Sequence, residues 1–239
     1  MHKIVDMHCH ILPGVDDGPE TMEETMALLR EAERQGVTCM IATPHFHPGR
    51  YKVDSHTVLS VLEEVRQCCR ENDIDLTLLP GQECYWYSGL LDALERGEAL
   101  TMNGTRYVLV EFEPDTIYSV IRNAVRSLSY RGYGVIVAHF ERYACLFGRP
   151  ERLEELREFG ALLQMNYDRL LDKDTLFHKN PWRQLLLDNR VDFLGSDTHG
   201  MAFRPLHIQR AVEWLEKNAE GSLVLALMET NPNRLLEGK

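Results

Sequence analysis

Seven short runs rich in apolar and β-branched residues recur along the chain, at residues 3–7, 37–43, 75–79, 107–112, 134–138, 161–166 and 191–195. A helical pattern lies between most of them. Strands separated by helices cannot pair as hairpins, so their sheet is parallel, and the simplest way to cover both of its faces is to close it into a barrel. The 239 residues and the 44% hydrophobic share suit one α/β barrel with a substantial core. No linker, internal repeat or low-complexity stretch divides the chain, so it reads as a single domain, 1–239.

The first helix carries the clearest signals. Thr21 and Glu24 stand at capping-box spacing, Met22, Met26, Leu29 and Ala32 follow at helical spacing, and Gly36 ends the run. Val58, Leu62, Val65 and Cys69 mark a second helix, and Ile117, Ile121, Ala124 and Leu128 another. Pro150 opens a helix with Leu153, Leu156 and Phe159, and one from Pro205 carries Ile208, Ala211, Val212 and Leu215.

The net charge of −11 argues against nucleic acid as the main partner, because surfaces that track phosphate backbones are basic. The N-terminus lacks a signal-type apolar region, and no stretch reaches the roughly 18 apolar residues of a membrane span. The six cysteines have no paired C-x-x-C spacing. A reduced, cytoplasmic protein is expected. Asn103-Gly104-Thr105 fits a glycosylation sequon but is read as a turn.

Six of the strands end in residue types that commonly ligate metals. The first gives Asp6-Met7-His8-Cys9-His10, and the others deliver His45, Glu83, Glu111, His139 and the pair Asp197 and His199. In an extended segment positions i and i+2 share a side, so His8 and His10 can face one ion while Cys9 points away. Each residue alone has a plain structural reading as a solvated or hydrogen-bonded rim group. Together they are harder to dismiss, since all C-terminal strand ends of a parallel barrel meet at one mouth. Carboxylates concentrated there need cations. One of Asp16 and Asp17 can reach the same mouth, although acids are also favoured at a helix N-terminus. Mixed nitrogen and oxygen donors favour Mn²⁺, Fe or Zn²⁺.

Arg142 and Arg204 follow His139 and His199 closely, and a guanidinium grips phosphate through its planar fork. The alternative for Arg142 is a local ion pair with Glu141 or Glu113. A cysteine-phosphatase C-x5-R motif, a P-loop and a dinucleotide fingerprint are all missing. Asp172-Lys173-Asp174-Thr175-Leu176 echoes an aspartyl-phosphate motif, fails at its fifth position and is read as a cap.

Asp6-Met7-His8-Cys9-His10, Val15-Asp16-Asp17-Gly18-Pro19, Pro44-His45, Gly81-Gln82-Glu83, Glu111-Phe112, Ala138-His139-Phe140-Glu141-Arg142-Tyr143 and Ser196-Asp197-Thr198-His199 together resemble the polymerase and histidinol phosphatase (PHP) superfamily. Within it the chain is similar to the bacterial manganese-dependent tyrosine-protein phosphatases of capsule and exopolysaccharide operons. The resemblance covers residues 6–233, and general members more often have histidine where this chain has Glu111. It implies a distorted, TIM-like (β/α)7 barrel and three divalent metals, Mn²⁺ first among them. His8, His10, Glu83 and Asp197 would hold one, Glu83, Glu111 and His139 a second, and Asp17, His45 and His199 a third. Arg142 and Arg204 would bind the phosphoryl group.

The expected reaction is hydrolysis of phosphotyrosine by water activated at the metals, on the tail of a bacterial tyrosine kinase. Tyr85, Trp86 and Tyr87 either line the entrance or pack at the rim, and His47 has no assigned role. A phosphatase acting on histidinol phosphate and a non-catalytic metal-binding scaffold are the competing readings. A nuclease fits the acidic surface poorly.

Overall fold

The computed structural model describes residues 3–51, 53–173 and 180–238. Its strands are β1 (Ile4–Cys9), β2 (Val37–Ala42), β3 (His45–Phe46), β4 (Thr77–Pro80), β5 (Glu83–Tyr85), β6 (Tyr107–Glu111), β7 (Gly134–Val137), β8 (Ala161–Asn166) and β9 (Phe193–Gly195). Every pairing between them is parallel, in the orders β1-β2-β4 and β3-β5-β6-β7-β8-β9. β2 and β3 are two halves of one extended passage broken at Thr43-Pro44, and β4 and β5 of another broken at Gly81-Gln82. The two sheets are therefore continuous, and the nine strands make the seven staves expected from the sequence. The ring closes where Asp197 N donates to His8 O (2.7 Å) and His10 N to Thr198 O (2.9 Å). The result is a distorted parallel α/β barrel.

An irregularity in β1 has consequences for the site. Val5 and Met7 point into the barrel and pack with Ile41, Leu109, Ile136, Ala138 and Phe193. Strict alternation would next send Cys9 inward. Instead the register of β1 against β2 shifts between Asp6 and Cys9. Cys9 and Ile11 join the outer cluster beneath the helices, while His8 and His10 turn in. A bulge that re-aims side chains beside a site is a recurrent device.

The helices cover the outside. In α1 (Met22–Arg34) Thr21 and Glu24 form the reciprocal capping box, and Met26, Leu29 and Ala32 are buried. In α2 (Ser55–Glu71) Val58, Leu62, Val65 and Cys69 are buried, the face their spacing predicts. α3 (Leu90–Glu95), α6 (Pro181–Leu187), α8 (Gly221–Leu225) and α9 (Asn231–Leu236) were not foreseen; they are too short to show a helical period. α9 sends Leu235 into the apolar cluster at the lower end of the barrel.

α4 (Tyr118–Tyr130) begins one residue later than Ile117, which stands outside it as the cap and is 66% exposed. α5 (Pro150–Glu158) buries Leu153 and Leu156. α7 (Ile208–Asn218) starts three residues beyond Pro205. The chain before it folds back, with Thr198 Oγ1 (2.8 Å) and His199 N (3.3 Å) both donating to Arg204 O. Asn103 lies in a turn with φ of 50°. In the stretch read as a cap, residues 174–176 lie outside the described residues, and Asp172 accepts from Arg169 Nη1 at 3.1 Å. Among the described residues no helix is long and apolar enough to cross a membrane.

Candidate metal centre

At the C-terminal mouth the structure brings together all nine residues the sequence singles out as ligands. His8 Nε2 and His10 Nε2 lie 3.1 and 3.3 Å from Glu83 Oε2, and 3.7 and 3.5 Å from Asp197 Oδ1. His139 Nε2 is 2.7 Å from Glu83 Oε1 and 4.0 Å from Glu111 Oε2. Asp17 Oδ1 faces His45 Nε2 at 3.4 Å and His199 Nε2 at 3.5 Å.

Three sets of ligand atoms are compact enough to surround an ion: His8, His10, Glu83 and Asp197; His10, Asp17, His45 and His199; and His45, Glu83 and Glu111. The first equals the set implied by resemblance. In the other two the geometry differs. His45 spans two sets, its Nδ1 standing 2.9 Å from Glu111 and 3.2 Å from Glu83. His139 lies close to Glu83 but only at the margin of Glu111.

The polar partners around this cluster decide which ring nitrogen faces inward. Asp16, not Asp17, sits behind His10: its Oδ2 accepts from His10 Nδ1 (2.7 Å) and from His45 N (2.9 Å). On the other side His8 Nδ1 donates to Gln164 Oε1 (3.0 Å). With both Nδ1 atoms engaged, the Nε2 atoms of His8 and His10 meet at 3.3 Å. Two lone pairs cannot face each other at that distance without a proton or a cation between them.

Burial alone would disfavour charge on these rings, yet the carboxylates outweigh it. The fields of Glu83 and Asp16 raise His8 and His10 respectively, and His45 is pushed up to about 10 despite burial, chiefly by Glu83. Glu83 and Asp197 are held well below the usual carboxylate range: burial opposes it, but the surrounding imidazoles prevail, with Arg142 helping at Asp197.

The donor set fits divalent metal ions. Glu83 Oε2 and His45 Nδ1 are buried and make no well-aligned hydrogen bond, although imidazole nitrogens and carboxylate oxygens stand 2.9–3.3 Å from them. Such atoms are rare in a native interior unless something else satisfies them. Hard carboxylates mixed with imidazoles suit Mn²⁺, Fe or Zn²⁺.

Arg142 and Arg204 flank the cluster. Arg142 Nη2 donates to Asp197 Oδ2 at 2.5 Å, so the ion pair with Glu141 or Glu113 considered from the sequence is replaced by one to a candidate ligand. Arg204 Nη1 lies 3.1 Å from His199 Nε2 and 3.5 Å from Asp197 Oδ1. Of the six non-glycine residues with positive φ among those described, five are Asp, Asn or His, types that tolerate it, and the sixth is Arg204. Three of the six, His139, Asp197 and Arg204, lie at the site. Strain of about 1–3 kcal/mol at such positions persists only where neighbours enforce it.

The cleft above the cluster has a volume of about 350 Å³ and is walled by His47, Tyr51, Tyr85, Phe203 and both arginines. His47 stacks on Tyr85 at 4.1 Å. Of the three aromatics after Glu83 only Tyr85 reaches the cleft, while Trp86 and Tyr87 pack on the core.

Sequence reasoning missed Asp16's place behind His10, and Gln164 and Asn166 altogether. The signal was present: β8 reads as apolar but carries two amides at i and i+2, hence on one side. Asp6 also went unassigned. It accepts from Ser196 N (2.8 Å) and Ser196 Oγ (2.6 Å), tying β1 to the end of β9.

Comparison with known proteins agrees with this geometry. The profile of the family described as capsular polysaccharide synthesis, CpsB/CapC, matches residues 4–237. The chain is 31% identical to tyrosine-protein phosphatase CpsB of Streptococcus pneumoniae over 238 residues, covering 98% of each. It is 33% identical to tyrosine-protein phosphatase YwqE of Bacillus subtilis (strain 168) over 226 residues, 95% of this chain and 89% of that one. A crystal structure from the pair YwqE and CpsB, described as unique metal-dependent tyrosine phosphatases, superposes with a TM-score of 0.88 at 33% identity, covering 99% and 95% of the two chains. A phosphotriesterase homology protein from Escherichia coli shares the fold at a TM-score of 0.57 and 14% identity over 98% of each chain.

Proposed function

Because the chain belongs to the capsular polysaccharide synthesis CpsB/CapC family, we propose that it is a metal-dependent tyrosine-protein phosphatase acting in capsule or exopolysaccharide synthesis. The observation that carries this reading is the convergence of nine histidines and carboxylates, buried Glu83 among them, between two arginines.

In this reading His8, His10, Glu83 and Asp197 hold one divalent ion, Glu83, Glu111 and His139 a second, and Asp17, His45 and His199 a third, with Mn²⁺ the preferred metal. His45, by its position, can serve both of the latter two. When bound, such ions supply Lewis-acid charge to phosphoryl oxygens and ready a water for attack on phosphorus. The chain's own residues do the rest. Arg142, braced by Asp197, and Arg204, on its turned-back loop, bind and orient the phosphoryl oxygens. Charge spreads over those oxygens in the transition state, so fixed guanidinium groups lower the barrier without reorganising. The cleft admits a side chain bearing a phosphate, and Tyr51, Tyr85 and Phe203 offer apolar faces to a phenyl ring.

The substrate in this reading is phosphotyrosine in the tail of a bacterial tyrosine kinase, met in the cytoplasm. The family match over residues 4–237 supports treating 1–239 as one phosphatase domain. The test is steady-state hydrolysis of a phosphotyrosine peptide and of histidinol phosphate, with Mn²⁺ and with chelator. Turnover that needs metal and favours the peptide is expected. Preference for histidinol phosphate by orders of magnitude would overturn the substrate, and no metal-dependent turnover on either would favour a scaffold.

A further inference from the structure

β8 supplies none of the candidate ligands, yet its side chains touch three of the residues that do. We propose that Gln164 is a positioning residue of the metal centre, one that sets the ring tautomer of His8 and holds the turns carrying His139 and Asp197. The proposal rests on the metal-centre reading above.

One group beside Gln164 has a fixed hydrogen-bonding role. The backbone N–H of His139 can only donate, and it points at Gln164 Oε1 from 2.8 Å. That atom of the amide is therefore the oxygen, and the orientation of the whole side chain follows. The same oxygen lies 3.0 Å from His8 Nδ1, so Nδ1 must carry the hydrogen. Nε2 is then the nitrogen that His8 presents to Glu83 and Asp197.

The other end of the amide is equally constrained. Gln164 Nε2 donates to Asn166 Oδ1 at 3.0 Å, which leaves the Asn166 amino group to donate to Asp197 Oδ2, also at 3.0 Å. Arg142 donates to that same oxygen. Oδ2 is thus occupied, and Oδ1 is the oxygen turned toward His8 and His10. One backbone donor in this way fixes, through two amides, the facing atoms of two ligands contributed by β1 and by the segment after β9. His139 and Asp197 are two of the three left-handed site residues, and this relay reaches both.

The amide is fully buried, and the site has been cleared for it. A Cβ on Gly195 would stand 2.9 Å from Gln164 Nε2 and 2.6 Å from His8 Cβ, closer than side chains approach. A buried amide whose oxygen accepts from one ligand's ring and another's backbone, and whose nitrogen reaches a third ligand through Asn166, is placed to orient a metal-binding histidine and raise its basicity.

The test compares Mn²⁺ binding by titration calorimetry in wild type, Gln164→Met and Gln164→Glu. Methionine keeps the length and volume but offers no strong acceptor, whereas glutamate keeps the oxygen that faces His139 N–H and His8 Nδ1–H. Gln164→Met is expected to weaken Mn²⁺ binding roughly 10- to 100-fold, and Gln164→Glu, which keeps the oxygen facing His8 and His139 but loses the donor to Asn166, to recover part of that loss. Equal binding by wild type and Gln164→Met, or an equal loss in both variants, would overturn the proposal. Wild type that takes up no Mn²⁺ would overturn the metal-centre reading and this proposal with it. A second measurement needs no variant: ring ¹⁵N spectra of the Zn²⁺-loaded wild type should show His8 protonated at Nδ1 and coordinated at Nε2. The opposite tautomer would overturn the assignment even if every variant misfolded.

Discussion

Within the barrel the same staves build two layers of opposite character. The lower layer, Val5, Met7, Ile41, Leu109, Ile136, Ala138 and Phe193 closed beneath by Leu235, is apolar and complete. The upper layer, a few residues further along the same strands, is a largely buried cluster of histidines and carboxylates, some of whose atoms make no well-aligned hydrogen bond. The lower layer gains stability from what it excludes from water. The upper layer gains little until a cation arrives, since buried charges stabilise a fold poorly even when paired. Stability and chemistry are thus divided along the barrel axis, and the bulge in β1 marks the change of phase between them.

That division predicts opposite consequences for substitutions only one or two turns of strand apart. The largest effect is expected for Glu83→Gln. Glu83 contributes to two of the three sets of ligand atoms, so losing its charge should cut Mn²⁺ uptake and lower kcat/KM by more than about 1,000-fold, beyond the roughly 10- to 100-fold typical of residues behind the ligands. The protein should remain folded. Near-normal turnover would show that the upper layer does not work through shared cations.

Ile136→Ala is the matching change below. Ile136 is buried at the centre of the lower layer, and its truncation should cost about 2–5 kcal/mol of stability through lost burial and the cavity left behind. Metal content and kcat/KM per folded molecule should stay at the wild-type level. If chemical denaturation shows the expected loss but metal leaves as well, the layers are coupled and the division fails.

Arg204→Ala probes the edge of the upper layer. Its guanidinium approaches His199 and Asp197 but is about one-third exposed, in contrast to the more enclosed Arg142 bonded to Asp197. Activity should fall by about 100-fold, as when one donor to developing charge is removed, with Mn²⁺ stoichiometry unchanged. Loss of metal would assign Arg204 a structural role.

The two layers were not equally legible in the sequence. All seven staves could be placed, because apolar runs of five to seven residues bounded by helical patterns depend on burial that the chain itself encodes. Eight of the nine ligand-type residues were visible for a related reason: each stands at or shortly after the end of such a run, whereas Asp17 lies in the loop after the first. What stayed hidden depends on relations between strands. Val37–Ala42 and His45–Phe46 looked like one strand, since a break at Thr43-Pro44 is a matter of pairing, not composition. Gln164 and Asn166 looked like interruptions of an apolar strand, because their partners, His8, His139 and Asp197, come from other staves. Asp16 and Asp17 are indistinguishable by type, and only the turn at Gly18, whose N–H donates to Asp16 Oδ1 at 3.0 Å, settles which one faces His10.

The last contrast concerns pH, and it separates the layers without any mutation. In chelator the imidazoles of His8, His10 and His45 hold protons on the folded protein that they would release near pH 6.5 when unfolded; for His45 the folded value is about 10. A group raised in this way stabilises the fold fully below its unfolded value, and the stabilisation disappears as pH rises through the folded one. Stability of the chelated protein should therefore fall between pH 6.5 and 8.5, by up to about 1.4 kcal/mol per pH unit for each proton retained. The depressed Glu83 and Asp197 contribute no slope there, because both are ionised in both states. Asp6, raised to about 6, has also nearly finished titrating, and buried thiols such as Cys39 begin to matter only above this window. With saturating Mn²⁺ the sign should reverse, since ligands freed of protons bind metal more tightly. Melting temperatures across that window, with chelator and with Mn²⁺, should diverge as pH rises. Parallel curves would mean that the upper layer holds neither protons nor metal in the way its geometry requires.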